Sequence, residues 1–91
     1  MVEWNFISNY GLVLVYIAKH PKSTAREIAS AVNVTEWTVH KIISELERDG
    51  FVKRKREGRG NAYNVNKNAK LRHSIIDHVS VRDFLSLLAG P

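Results

Sequence analysis

A chain of 91 residues, 44% hydrophobic and 25% charged, has room for one hydrophobic core and no second domain. It contains no cysteine, which excludes a disulfide scaffold and a cysteine-based zinc site and makes a reducing cytoplasm the simplest compartment. Fourteen Lys and Arg stand against nine Asp and Glu, a formal net charge of +5.

That excess is not spread along the chain. Residues 1–52 sum to −1, residues 73–91 to −1, and residues 53–72 carry eight basic side chains and one acidic, a net of +7. A local excess of this size creates a field that attracts polyanions, nucleic acid first among them. Disorder needs lower hydrophobicity. The longest apolar stretch, Leu12 to Ala18, falls far short of the roughly 20 residues of a membrane span, so no membrane partner is expected. A secretory signal would need a basic start, and Glu3 is the only early charge.

In chain order, Trp4, Phe6 and Ile7 form a short apolar arm that needs something to cover, either its own core or a second subunit. Ser8 is the expected N-cap of a helix over residues 9–20, apolar at Leu12, Val13, Val15, Tyr16 and Ile17 and stopped by Pro21. Thr24 with Glu27 three residues later spells a capping box for a short helix over 25–32. Asn33 tolerates the left-handed backbone of a tight turn. Thr35 then caps a helix over 36–49, with Glu36 in its first turn, where the macrodipole favours an anion. Val39, Ile42, Ile43 and Leu46 recur at i, i+3, i+4, i+7 and mark its core face. Gly50 is the stop.

The period then changes from helical to alternating. Residues 51–56 and 61–65 flank Glu57-Gly58-Arg59-Gly60, the pattern of a β-hairpin over 51–65. A hairpin alone is marginal, so it must lean on the helices. The tail, residues 71–89, is read as helical. Its apolar residues fall into two groups, Leu71, Ile75, Ile76 and Val79, then Val81, Phe84, Leu85 and Leu88, which point to opposite sides of one straight helix at about 100° per residue. Two shorter helices broken near Ser80 fit better, and Ser80-Val81-Arg82-Asp83 makes an approximate capping box. The tail shows more apolar surface than a small core absorbs, which points to self-association.

Two short helices joined by a tight turn, followed directly by a basic hairpin, make a winged helix-turn-helix pattern. The expected fold is mostly α with a small β-hairpin: a three-helix core, a wing and a C-terminal dimerisation helix or helices. The stretch Ser23–Val65 resembles bacterial and archaeal winged helix-turn-helix transcriptional regulators of the MarR/ArsR type. The carrying residues are Thr24-Ala25-Arg26-Glu27-Ile28-Ala29, the run Thr38 to Val52 including Lys41, Leu46-Glu47 and Gly50-Phe51-Val52, and the Lys/Arg hairpin. The resemblance implies a homodimer that binds double-stranded DNA, with the helix over 36–49 in the major groove.

The residues expected at DNA are then specific. At the recognition helix they are Thr35, Glu36, Trp37, Thr38, His40, Lys41 and Ser44. Lys41 suits guanine or phosphate, His40 and Ser44 base edges or phosphate oxygens, and Thr38 a phosphate or a thymine methyl. Glu36 reads better as a first-turn charge than as a cytosine reader. Trp37 has two readings, packing against the preceding helix or stacking on a sugar or thymine methyl, of which packing is the plainer. In the hairpin, Lys53, Arg54, Lys55, Arg56 and Arg59 are the phosphate candidates, and Arg59, between two glycines, is placed for minor-groove insertion. Strand alternation sends Arg54 and Arg56 to one side and Lys53 and Lys55 to the other. Tyr63 reads as core or strand packing.

The expected dimer interface comprises Trp4, Phe6, Ile7, Ile75, Ile76, Val79, Phe84, Leu85 and Leu88. His73, Asp77 and His78 are loosely spaced and weak as metal ligands, so neither a metal nor another cofactor is expected. No nucleophile motif or phosphate-cradling loop is present, and an enzyme is not expected. The rival readings are a winged-helix module that docks on protein or RNA, and a ligand or metal sensor. A protein-docking module has no need of a +7 segment, and no effector is indicated.

Overall fold

A computed structural model of the chain describes residues 7–58 and 60–88. Its elements run α1 (Asn9–Lys19), α2 (Ala25–Val32), α3 (Glu36–Arg48), β1 (Val52–Glu57), β2 (Gly60–Val65) and α4 (Val81–Leu88). The expected architecture, three helices, a hairpin and a C-terminal helix, is the one observed.

Local chemistry sets the helix boundaries. Ser8 caps α1 by accepting from the Gly11 amide, and the helix ends before Pro21 with His20 as its C-cap. Thr24 and Glu27 form the full capping box of α2: the Thr24 hydroxyl accepts from the Glu27 amide at 3.1 Å and the Glu27 carboxylate from the Thr24 amide at 2.9 Å. Those bonds hold the Glu27 carboxyl below the usual carboxylate range, the Thr24 amide contributing most. Asn33 closes α2 in the left-handed conformation, at φ 64°. Two residues later Thr35 caps α3 through the Thr38 amide. After α3, Gly50 turns the chain at φ 83°, where a Cβ would be strained.

The core is the meeting point of all these elements. Val13, Leu14 and Ile17 of α1, Ile28 and Ala29 of α2, Val39, Ile42, Ile43 and Leu46 of α3, Val52 and Tyr63 of the hairpin, and Val81 and Leu85 of α4 are buried together. The hairpin pairs Val52 with Val65, Arg54 with Tyr63 and Arg56 with Asn61. It leans on the helices as a lone hairpin must: Tyr63 enters the core, and its amide donates to the Pro21 carbonyl at 2.9 Å. Asn66 closes the base by donating from its side chain to the Gly50 carbonyl and from its amide to the Phe51 carbonyl. Tyr10 of α1 donates to the Glu45 carboxylate of α3, and that bond raises the Tyr10 hydroxyl above its ordinary pKa.

The tail corrects the reading of 71–89 as helical. Only α4, from Val81, is a helix; residues 71–79 form turns. The Leu71 amide donates to the Val79 carbonyl and Lys70 bridges Ser80, so this stretch is a closed loop. That closure prevails because the stretch has little helix propensity to oppose it. Ile75, Ile76 and Val79 are β-branched, and His73, Ser74, Asp77 and His78 are weak helix formers. Locally, the His73 Nδ1 accepts the Ile75 amide. The break at Ser80 is where the sequence placed it, with the Ser80 and Asp83 side chains each accepting the other's amide at 3.2 Å. The Ser80 amide holds the Asp83 carboxyl below its usual range. No helix among the described residues is long and apolar enough to cross a membrane.

Helix α4 packs on α1. At Gly11 of α1 a Cβ would lie in ordinary contact with Phe84 Cζ of α4 at 3.4 Å but only 2.5 Å from Cγ2 of Ile7, just before the helix. Here glycine is required by space, not by its backbone angles.

Candidate nucleic-acid interface

Helix α3 has one buried face and one free face. Taking Val39, Ile42, Ile43 and Leu46 as the inward direction, Trp37, Lys41, Ser44 and Arg48 all fall within roughly 30° of the outward pole. All four are exposed. His40 and the half-buried Thr38 lie on the two flanks, and Glu36 lies nearer the core side. Thr35 and Thr38 are tied together, hydroxyl to hydroxyl, at 2.9 Å. Sequence reading stopped at Ser44 and so missed Arg48, which the same helical spacing places on this stripe.

Trp37 does not pack against α2, so the plainer of its two readings is overturned. Its side chain is 71% exposed, and its ring lies 5.8 Å from the Lys41 ammonium, one turn along the helix. That distance is within reach of a cation–π contact. The core is already filled from α2 by Ile28 and Ala29, and nothing buries the indole.

The basic residues of the hairpin are not all free. Lys53, Lys55 and Arg56 are exposed. Arg54 is half-buried on the inward side, 3.1 Å from the Glu47 carboxylate of α3, and its amide donates to the same group. Its charge is therefore matched, and it joins the hairpin to α3. Glu57 near the tip pairs with Lys22 at 3.4 Å. Arg72, counted in the basic segment, donates to the Asp49 carbonyl at the end of α3 and stacks 5.3 Å from the Phe51 ring. Arg59 lies outside the described residues, between Gly58 and Gly60.

The residues assigned to a dimer interface are divided by the structure. Leu85 is only 5% exposed and belongs to this chain's own core, and Phe84 is half-buried against that core. Ile75, at 74%, and Ile76 and Leu88 are exposed, and Leu87, not foreseen, is the most exposed large hydrophobic among the described residues at 84%. Ile7 and Val79 are half-buried. Trp4 and Phe6 lie outside the described residues. His73, Asp77 and His78 are exposed on the loop, and no group of three such side chains among the described residues is placed to hold a metal.

Comparison with known structures places this arrangement in a fold. The chain is similar to MepR, a transcription regulator of the Staphylococcus aureus multidrug efflux pump MepA, with a TM-score of 0.61 and 21% identity over 91% of this chain and 58% of that one. It is similar to Lactococcus lactis ZitR, solved in complex with DNA, with a TM-score of 0.57 and 18% identity over 71% of this chain and 46% of that one. It is similar to CymR, the global cysteine regulator of B. subtilis, with a TM-score of 0.54 and 24% identity over the whole of this chain and 67% of that one. The chain thus spans about half to two thirds of these proteins. None of the curated proteins matches. The fold is the winged helix-turn-helix that the sequence motifs imply, with α2 and α3 as the pair and β1–β2 as the wing. A model of the family described as sugar-specific transcriptional regulator TrmB matches residues 10–78, from α1 through the wing and into the tail. The chain therefore belongs to the TrmB family of transcriptional regulators, a family of DNA-binding winged-helix proteins and not of enzymes.

Proposed function

We propose that the chain binds double-stranded DNA sequence-specifically, as a small dimeric transcriptional regulator working in the cytoplasm. One observation carries the reading: the free face of α3, with Trp37, Lys41 and Ser44 outward, stands beside a hairpin whose Lys53, Lys55 and Arg56 are exposed. In this reading α3 enters the major groove, which an α-helix fits. Lys41 bonds guanine or phosphate, and His40 and Ser44 reach base edges or phosphate oxygens. Thr35, Thr38 and Glu36 line the entry of the helix. The wing lies on the neighbouring backbone, with Arg59 at its tip directed to the minor groove. Family membership and the DNA complex of the similar ZitR support this assignment.

A second copy would cover the exposed Ile75, Ile76, Leu87 and Leu88, with the arm of Trp4, Phe6 and Ile7. Two copies would present their recognition helices about 34 Å apart, one turn of B-DNA.

The test is duplex binding as a function of salt. Several phosphate contacts make the logarithm of the affinity fall with a slope of several per logarithm of salt. Lys41→Ala is expected to weaken binding to a selected sequence more than binding to random duplex. A flat salt profile, or an equal loss on both duplexes, would overturn these roles.

A further inference from the structure

The exposed indole on the recognition helix has no structural duty in this chain. Trp37 is 71% exposed, lies nearly opposite the core face of α3 and touches no buried cluster. Tryptophan is also only a middling helix former, so local propensity does not explain it. Leaving so large an apolar group in water is a cost that folding does not return.

The geometry points to Trp37 as a base reader that recognises the methyl group of thymine. This rests on the DNA-reading role of α3 proposed above and names the chemistry that role takes. Trp37 occupies the first turn of α3, and the N-terminal part of such a helix is the part that meets base edges. In the major groove each base pair shows hydrogen-bonding groups, and the thymine C5-methyl is the apolar feature. An outward apolar side chain at this position is matched by that group. Lys41 is the polar half of the same reader. Its ammonium lies 5.8 Å from the Trp37 ring and follows it by one helical turn. Four residues at about 1.5 Å each span roughly two base-pair steps. The pair therefore reads a thymine separated by about two base pairs or fewer from a guanine, the indole on the methyl and the ammonium on guanine O6 or N7.

A further property follows from the same contact. Uracil lacks the methyl, and the deep, narrow major groove of A-form RNA does not admit side chains. An RNA duplex of the same sequence therefore offers the Trp37 indole no such contact.

The experiment uses the full chain and a duplex selected from a random pool. Each thymine of that duplex is replaced in turn by deoxyuridine, which removes one methyl and nothing else. Wild-type affinity is expected to fall about fourfold at one thymine in each half-site, the worth of one buried methyl. Trp37→Ala should bind the thymine duplex more weakly and be indifferent to that replacement, and Trp37→Phe should fall between. Circular dichroism and thermal melting of Trp37→Ala should match the wild type, because the side chain is exposed. Wild-type affinity unmoved by every deoxyuridine, or a Trp37→Ala variant that loses the same factor as the wild type, overturns the assignment while leaving α3 a base reader. A selection that enriches no sequence, with duplex binding retained, overturns base reading by α3 itself and this inference with it.

Discussion

The guanidinium of Arg54 at the root of the wing lies 3.1 Å from the Glu47 carboxylate on the recognition helix. The contact spans the turn at Gly50 and fixes the angle between the two elements that DNA would meet together. It also removes one cation from the wing's free charge. Arg54 and Lys53 are sequence neighbours and should behave differently. Arg54→Gln is expected to lower stability by roughly 0.5–1 kcal/mol, the range of a part-exposed ion pair. Glu47→Gln should cost about as much, and the double variant little more than either alone. Lys53→Gln with Lys55→Gln should leave stability almost unchanged and weaken duplex binding severalfold. Thermal melting and duplex titration of the variants check both halves.

Acid should loosen the helix starts. The Thr24 amide holds the Glu27 carboxyl below its usual range, and the Ser80 amide does the same for Asp83. A carboxyl with a lowered folded-state pKa contributes stability that is fully present above its unfolded value and is lost as the pH falls through the folded one. The melting temperature should therefore hold level from neutral pH down to about 5 and fall below about 4. A Glu27→Gln, Asp83→Asn variant keeps oxygen acceptors but cannot titrate. Its melting temperature should fall less steeply over the same range. Acid limbs that coincide would show that these caps do not contribute to the pH dependence.

The exposed and buried leucines of α4 make a paired test of self-association. Leu87→Glu, at a leucine 84% exposed, should leave the fold intact and weaken a dimer at least tenfold, read by sedimentation at micromolar concentration. Leu85→Ala removes a core side chain and should cost about 2–4 kcal/mol of stability whatever the oligomeric state. A wild-type chain that sediments as a monomer would contradict the dimer.

How much of this was legible in the sequence depended on the range of each interaction. The caps at Thr24, Thr35 and Ser80, the left-handed Asn33 and the core stripe of α3 are set within four residues or one helical period, and they appear as expected. Residues 71–79 show the opposite case. Their apolar spacing suits a helix, but the Lys70–Ser80 bridge that closes them into a loop joins residues ten apart. Trp37 had two readings because an apolar residue is expected to seek a core while its phase on α3 points outward, and its exposure goes with the phase. Charge counting treated Arg54 and Arg72 as free cations. Their partners, Glu47 and the Asp49 carbonyl, belong to another element and are visible only in three dimensions.

The most direct measurement is selection of bound duplexes from a random pool by the full chain at physiological salt. A dimeric reader should enrich a pseudo-palindrome whose half-sites are centred about 10 base pairs apart, each containing a thymine close to a guanine. Recovery of unenriched duplexes, or of RNA duplexes equally well, would contradict sequence-specific DNA reading and leave only a polyanion-binding surface.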